Sequence, residues 1–186
     1  DGGVPSGIGA SSNDASNLIF AGSTAGLVYQ GNILDGALTL GSRSASTDRL
    51  FTLAAAATGA TLSSTASNNN AIIWSNTGPI VNLTSAPATL IFTGSSTGDN
   101  TFKPQLVDSS VPAILNVTKA GAGQWNLGNS NNTYTGITTI NEGILALNDN
   151  GALPSGSPLV LAPTSATSVA VLQMSGLFER SLTATP

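Results

Sequence analysis

The ionisable and hydroxyl-bearing side chains set the chemistry open to this chain, and two of the usual ones are missing. Neither histidine nor cysteine occurs among its 186 residues. Imidazole is the side chain that titrates near neutral pH, and thiolate and imidazole make up most zinc, iron and copper ligand sets. Ser-His-Asp and Cys-His catalysis are therefore closed to it. What stays open is carboxylate acid–base work, hydroxyl nucleophiles and oxygen-ligated calcium. The acids are Asp1, Asp14, Asp35, Asp48, Asp99, Asp108, Asp149, Glu142 and Glu179, and none is spaced as a DxD pair or a calcium loop. They read as solvated corner positions. No catalytic residue, cofactor or metal is expected.

Binding is the other option. Asp48-Arg49, within Ser46–Leu53 (STDRLFTL), is the most distinctive charged spot. It reads either as a ligand contact or as a turn, with Asp48 bonded to nearby amides and Arg49 spanning a corner. Trp74, Trp125, Tyr29, Tyr134, Phe92 and Phe102 could form a sugar-stacking ladder, but strand positions favour core packing. Tyr134 is the one most expected at a surface. The five basic residues (Arg43, Arg49, Lys103, Lys119, Arg180) are scattered and outnumbered by nine acids, for a net charge of -4. Phosphate neutralisation needs clustered cations, so nucleic acid and anionic membrane surfaces are not expected partners. No apolar run reaches the ~18 residues of a membrane helix.

The elements that must hold these residues are strands. Charged residues make up 8% of the chain against about a quarter in ordinary soluble domains, with Ser, Thr, Asn and Gly in their place. Short β-branched and aromatic runs recur about every ten residues, for example Ala71–Ser75 (AIIWS), Ala88–Thr93 (ATLIFT), Gly123–Leu127 (GQWNL) and Ile144–Asn148 (ILALN). That spacing suits an antiparallel sandwich or a solenoid. Turn chemistry favours the solenoid. Asn-rich stretches at Asn68-Asn69-Asn70 and at 129–132 suit stacked corners, because Asn tolerates left-handed φ and its amides can bond from one layer to the next. Echoes within the chain point the same way: Gly3-Val4-Pro5-Ser6-Gly7 against Ala152-Leu153-Pro154-Ser155-Gly156.

From Lys119 to Gly156 the sequence reads KAGAGQWNLGNSNNTYTGITTINEGILALNDNGALPSG. This stretch resembles the autotransporter-associated β-strand repeat, also called the passenger-associated transport repeat, of bacterial surface proteins. Lys119, Gly121, Gly123, Trp125, Leu127, Asn132, Tyr134, Thr135, Gly136, Thr138, Ile140, Gly143, Leu145 and Leu147 fall on the family pattern. The resemblance implies a right-handed parallel β-helix displayed outside the cell, and no activity. The rest of the chain lacks a second full copy but resembles the spacer regions that accompany such repeats.

Residues 1–186 are therefore expected to form a single all-β solenoid module with almost no α-helix, part of a longer array, with the repeat motif over 119–156. At about twenty residues per rung the chain would supply eight or nine rungs and a rod of about 40 Å. Alternation places Trp125 and Leu127, Ile137 and Thr139, and the Leu145–Leu147 register inside, with Asn126, Thr138 and Asn148 facing solvent. The expected function is structural: a secreted or cell-surface stalk, adhesin scaffold or filament component. A carbohydrate-binding or carbohydrate-cleaving β-helix is the alternative, with surface glycans as partners. An uncapped solenoid end exposes unpaired strand edges. The tail FERSLTATP is accordingly expected to stack head to tail on a following unit, a second copy or more of the same polypeptide, which would cover Leu177, Phe178 and Leu182.

Overall fold

The computed structural model describes residues 3, 10–23, 25–35, 38–110 and 113–174. The chain enters through a single 3-10 turn, Ala15–Asn17, capped by the Asp14 carboxylate on the Ser16 amide at 2.8 Å. β1 (Ile19–Phe20) and β2 (Gly26–Tyr29) follow, then β3 (Asn32–Asp35), β4 (Leu38–Ser42), β5 (Ala45–Thr47) and β6 (Thr52–Leu53). The next turns of the chain are β7 (Gly59–Ser64), β8 (Ile72–Trp74) and β9 (Val81–Asn82), and β10 (Ala88–Thr93) with β11 (Asn100–Phe102). β12 (Leu115–Lys119) and β13 (Gln124–Leu127), β14 (Thr138–Ile140) and β15 (Gly143–Leu147), and β16 (Leu159–Leu161) and β17 (Ala170–Met174) complete it.

These strands do not pair with their sequence neighbours. Every third or second strand stacks on its counterpart one coil away, in parallel. One long sheet is ordered β16-β14-β12-β10-β7-β2, a second β17-β15-β13-β11-β8-β5, and a short third β1-β6-β9. The third side continues past β9 as bridged loop, Pro79 pairing with Gln105. The architecture is the parallel β-helix that the Asn-rich corners and the internal echoes imply.

Three expectations need correction. The first is coil length. Gly26 stacks on Thr61, Ala60 on Leu90, Leu90 on Val117 and Val117 on Thr138, so coils shorten from 35 residues through 30 and 27 to 21. The twenty-residue rung holds only inside the repeat motif. The described residues make six coils, about 25 Å of rise. The second is an exception to the parallel plan. β3 and β4 pair antiparallel, Asp35 opposite Leu38, as a hairpin inserted at one corner of the first coil. The third is phase. Ile137 is exposed and Thr138 fully buried, the reverse of the expected alternation, because Thr138 lies in the inward column Ala60, Leu90, Val117, Thr138, Leu159.

The core is a continuous file of apolar side chains along the tube. Its aromatic spine runs along the tube: Phe20 to Phe51 at 5.2 Å, Phe51 to Trp74 at 5.8 Å and Trp74 to Phe102 at 5.9 Å, then across one coil from Phe102 to Phe92 at 5.1 Å, and on to Trp125 at 5.1 Å. Edge-on and tilted ring pairs at such separations add to the burial of their area. Each coil alone hides little; neighbours close the core.

Corners are held by amides. Asn100 accepts from the Ile72 amide at 3.1 Å and donates to the Gln124 carbonyl at 2.9 Å, tying three successive coils. Asn132 does the same on the third side, accepting from the Leu106 amide and donating to the Ala152 carbonyl, both at 2.8 Å. Asn129 donates to the Thr77 and Lys103 carbonyls. Asn68 and Asn69 take left-handed φ of 58° and 57°, the conformation that the Asn triplet suggested.

Candidate functional site

The residues singled out from the sequence are dispersed by this coil. Arg49 is buried, and its guanidinium donates to the Ser12 carbonyl at 3.3 Å on the neighbouring coil. Asp48 is half-buried, and its carbonyl accepts from the Asn76 side chain at 2.8 Å. Both serve the corner. Tyr134 is in the core, 0% exposed, with its hydroxyl 2.8 Å from Thr138 Oγ1, so it presents no surface to a ligand. Trp74, Trp125, Phe92 and Phe102 are buried as well, and Tyr29 is half-buried. No sugar-stacking ladder faces solvent among them. Leu177, Phe178 and Leu182 lie outside the described residues. Asp99 and Asp108 are held by different partners: Gln124 for Asp99, the Leu115 amide and Thr135 for Asp108. No cluster of three or more potential metal-ligating side chains occurs among the described residues.

What the structure does assemble is a corner built on Lys119. It occupies the inward column between Phe92 and Ile140, a place otherwise filled by Leu27 and Leu62 in earlier coils. Its stem packs in the core, and its ammonium turns to three carbonyls, Ala120 at 2.8 Å, Gly121 at 2.6 Å and Glu142 at 2.9 Å. An ammonium has three donors and no acceptor, so the set is complete. Burial pushes its pKa from 10.5 down to about 8, opposed in part by the charge of Glu142. The carbonyls can come this close because the corner is glycine. Gly121 and Gly143 have φ of +66° and +72°, and a Cβ on Gly143 would strike the Gly123 carbonyl oxygen of the preceding coil. The indole of Trp125 donates to the Thr93 carbonyl at 2.8 Å from the same region.

The other assembled feature is a polar cleft of about 640 Å³ on the outer face of the second long sheet, among Asp99, Thr101, Lys103, Gln124, Asn126, Asn148 and Gln173. The Gln124 amide donates to Asp99 Oδ1 at 3.0 Å and to Asn126 Oδ1 at 3.2 Å. Asn126 points outward as alternation requires, yet it is 2% exposed rather than solvated. Outward-facing amides on successive strands were the available signal, but only stacking shows which of them share a coil face.

Comparison with known proteins bears on both features. The family described as the passenger-associated-transport-repeat matches residues 117–147, the span from β12 through β15 that carries the Lys119 corner. The adhesin BmaC autotransporter of Brucella suis biovar 1 (strain 1330) is 36% identical over 156 residues. That alignment takes in 83% of this chain and 4% of the adhesin's length. No solved structure matches.

Proposed function

Since the chain belongs to the passenger-associated transport repeat family, we propose that it is a structural segment of a bacterial surface passenger, a length of β-helical stalk or adhesin scaffold rather than an enzyme. The observation that carries the reading is the Lys119 corner. The residues on the family pattern are spent on shaping the corner and joining coils: Lys119 on two local carbonyls and one of the next coil, Gly121 and Gly143 on close approach between coils, Trp125 on a carbonyl of the preceding coil, and Tyr134 on a local bond to Thr138. Such residues hold a rod and leave no reactive group at its surface. The likeness to an autotransporter adhesin supports an extracellular, cell-surface location for the segment. The test is surface display of the full-length parent. Gly143→Val, which breaks the corner, is expected to lower the amount of passenger accessible to protease on intact cells. Asn148→Ala, on the outer face, is expected to leave display unchanged. Equal display of all three proteins would sink the reading.

Head-to-tail assembly is the further part of this proposal. Parallel strands stacked in register continue for as long as coils are supplied. On the last described coil Leu161, Val169 and Met174 are half or more exposed. A following coil, from the same polypeptide or a second copy, would extend β16 and β17 and cover the Leu177, Phe178 and Leu182 stretch. Sedimentation of the 186-residue chain checks this: concentration-dependent association is expected, and a strict monomer at high concentration refutes the stacking. The second functional reading, carbohydrate binding, has support in the polar cleft.

A further inference from the structure

The outward column of the second long sheet runs Ser46, Ile73, Thr101, Asn126, Ala146, Gln173 from coil to coil. At Asn126 and Ala146 the column sinks, both residues being almost fully buried although they face away from the core. Gly128, two residues beyond Asn126, adds no side chain to the adjoining column. The result is a trough in an otherwise filled face, walled by Asp99 and Gln124 on one side, Lys103 and Asn148 on the other, and closed by Gln173.

Its floor is unfinished. Asn126 Oδ1 is engaged by Gln124, whereas Asn126 Nδ2 has no hydrogen-bond partner. A buried amide N–H without an acceptor is destabilising, and native interiors rarely keep one without a reason. A coil that serves only as a spacer has no use for it: the adjacent step of the column is alanine, which fills the position with no polar group at all.

We propose that this trough is a binding site for a neutral oligosaccharide, with the floor amide of Asn126 as a donor to a sugar oxygen. The lining fits that class. Asn126 brings an unpartnered donor, Gln124 its side-chain oxygen, and Asn148 and Gln173 further side-chain amides, a mixed donor and acceptor set that matches sugar hydroxyls. Two carboxylates, Asp99 and Asp149, face a single cation, Lys103, so an anionic ligand meets repulsion. Apolar lining is confined to Ile73, too little to seat a hydrophobic ligand. The site lies on a rigid sheet, so the polar groups are fixed before the ligand arrives. The proposal deepens the carbohydrate-binding reading alone; the scaffold reading does not depend on it.

The test titrates the 186-residue chain with cellohexaose, chitohexaose and maltohexaose, with hexagalacturonate and hexaglycine alongside, by calorimetry and amide chemical shifts. At least one neutral saccharide is expected to bind at about millimolar Kd or tighter, shifting the side-chain amides of Asn148 and Gln173. Asn148→Ala and Gln173→Ala, both at exposed positions that leave the core intact, are each expected to weaken it about five- to tenfold, the loss of one hydrogen bond or two. Asn126→Leu, if it folds, is expected to abolish it. Silence of all three neutral saccharides at about 10 mM overturns the proposal, as does binding of the acidic sugar or the peptide alone, or binding indifferent to the two wall changes. Each of those outcomes leaves the surface-display test of the scaffold untouched.

Discussion

Lys119 concentrates the conflict between burial and charge at a single residue. Taking an ammonium out of water favours its neutral form, and the Glu142 charge only partly restores the balance, which places its pKa at about 8 in the fold against 10.5 when free. The unfolded chain therefore binds more protons than the folded one between those values, and stability rises with pH across that window. Below about pH 8 both states hold the proton and the slope vanishes. The unfolding free energy of the native chain relative to Lys119→Met should climb by at most about 1.4 kcal/mol per pH unit between pH 8 and 10.5. Urea denaturation of both proteins at several pH values measures it, and a flat difference would show that the three carbonyls hold the ammonium charged throughout. The Tyr134–Thr138 contact is smaller in scale. Thr138→Val keeps the volume, removes the hydrogen bond, and should cost about 1 kcal/mol.

At the scale of the element, the aromatic spine and the glycine corner do different work. Phe51, just before β6, touches Phe20, Trp74 and Phe102, which come from three strands. Phe51→Ala should cost about 3–5 kcal/mol, since the neighbouring rings can only partly collapse into the space. Thermal or urea unfolding measures the loss directly. Gly143→Ala adds a single methyl, but at φ +72° and against the backbone of the coil beneath. It should cost about 2–4 kcal/mol and should loosen β15 from β13 first, which amide exchange resolves strand by strand. Unchanged protection in β15 would contradict the role assigned to the corner.

A rod held by contacts between adjacent coils has a stability that is nearly a sum over those contacts. Val117 stacks on Thr138, so residues 117–137 are one complete coil. Deleting them brings β14 and β15, with their own glycine corner, onto β10 and β11. The shortened chain should remain folded, keep its β-sheet circular dichroism, and lose about one strand spacing, ~4.8 Å, of length by small-angle scattering. An offset deletion of similar size that begins in mid-strand should unfold it, because a slip of one residue turns every inward side chain outward. If the two deletions behave alike, the coil is not the unit of construction.

Periodicity, composition and the motif between Lys119 and Leu147 were enough to read the class of fold: period-2 alternation, scarce charge and Asn corners are local properties of the chain. The aromatic residues were legible as core for the same reason. Other features depended on which coil lies above which. Coil length differs because the rung of the motif does not extend to segments with longer corners, and because the first coil carries the added antiparallel pair β3 and β4. Alternation counted from Ile137 turns Thr138 to the surface, yet its column is inward and Tyr134 supplies a partner there. Asn126 was rightly turned outward, but its burial depends on Ala146 and Gln124 in neighbouring positions, and a single strand cannot reveal that. Local sequence thus determined that the chain coils and which residue types build its core and corners. Tertiary stacking alone decided the register between coils, and with it the Lys119 corner and the polar trough, because each is completed by pairs 20 or more residues apart, Lys119 with Glu142 and Asn126 with Ala146, whose meeting is set by the length of the intervening turn.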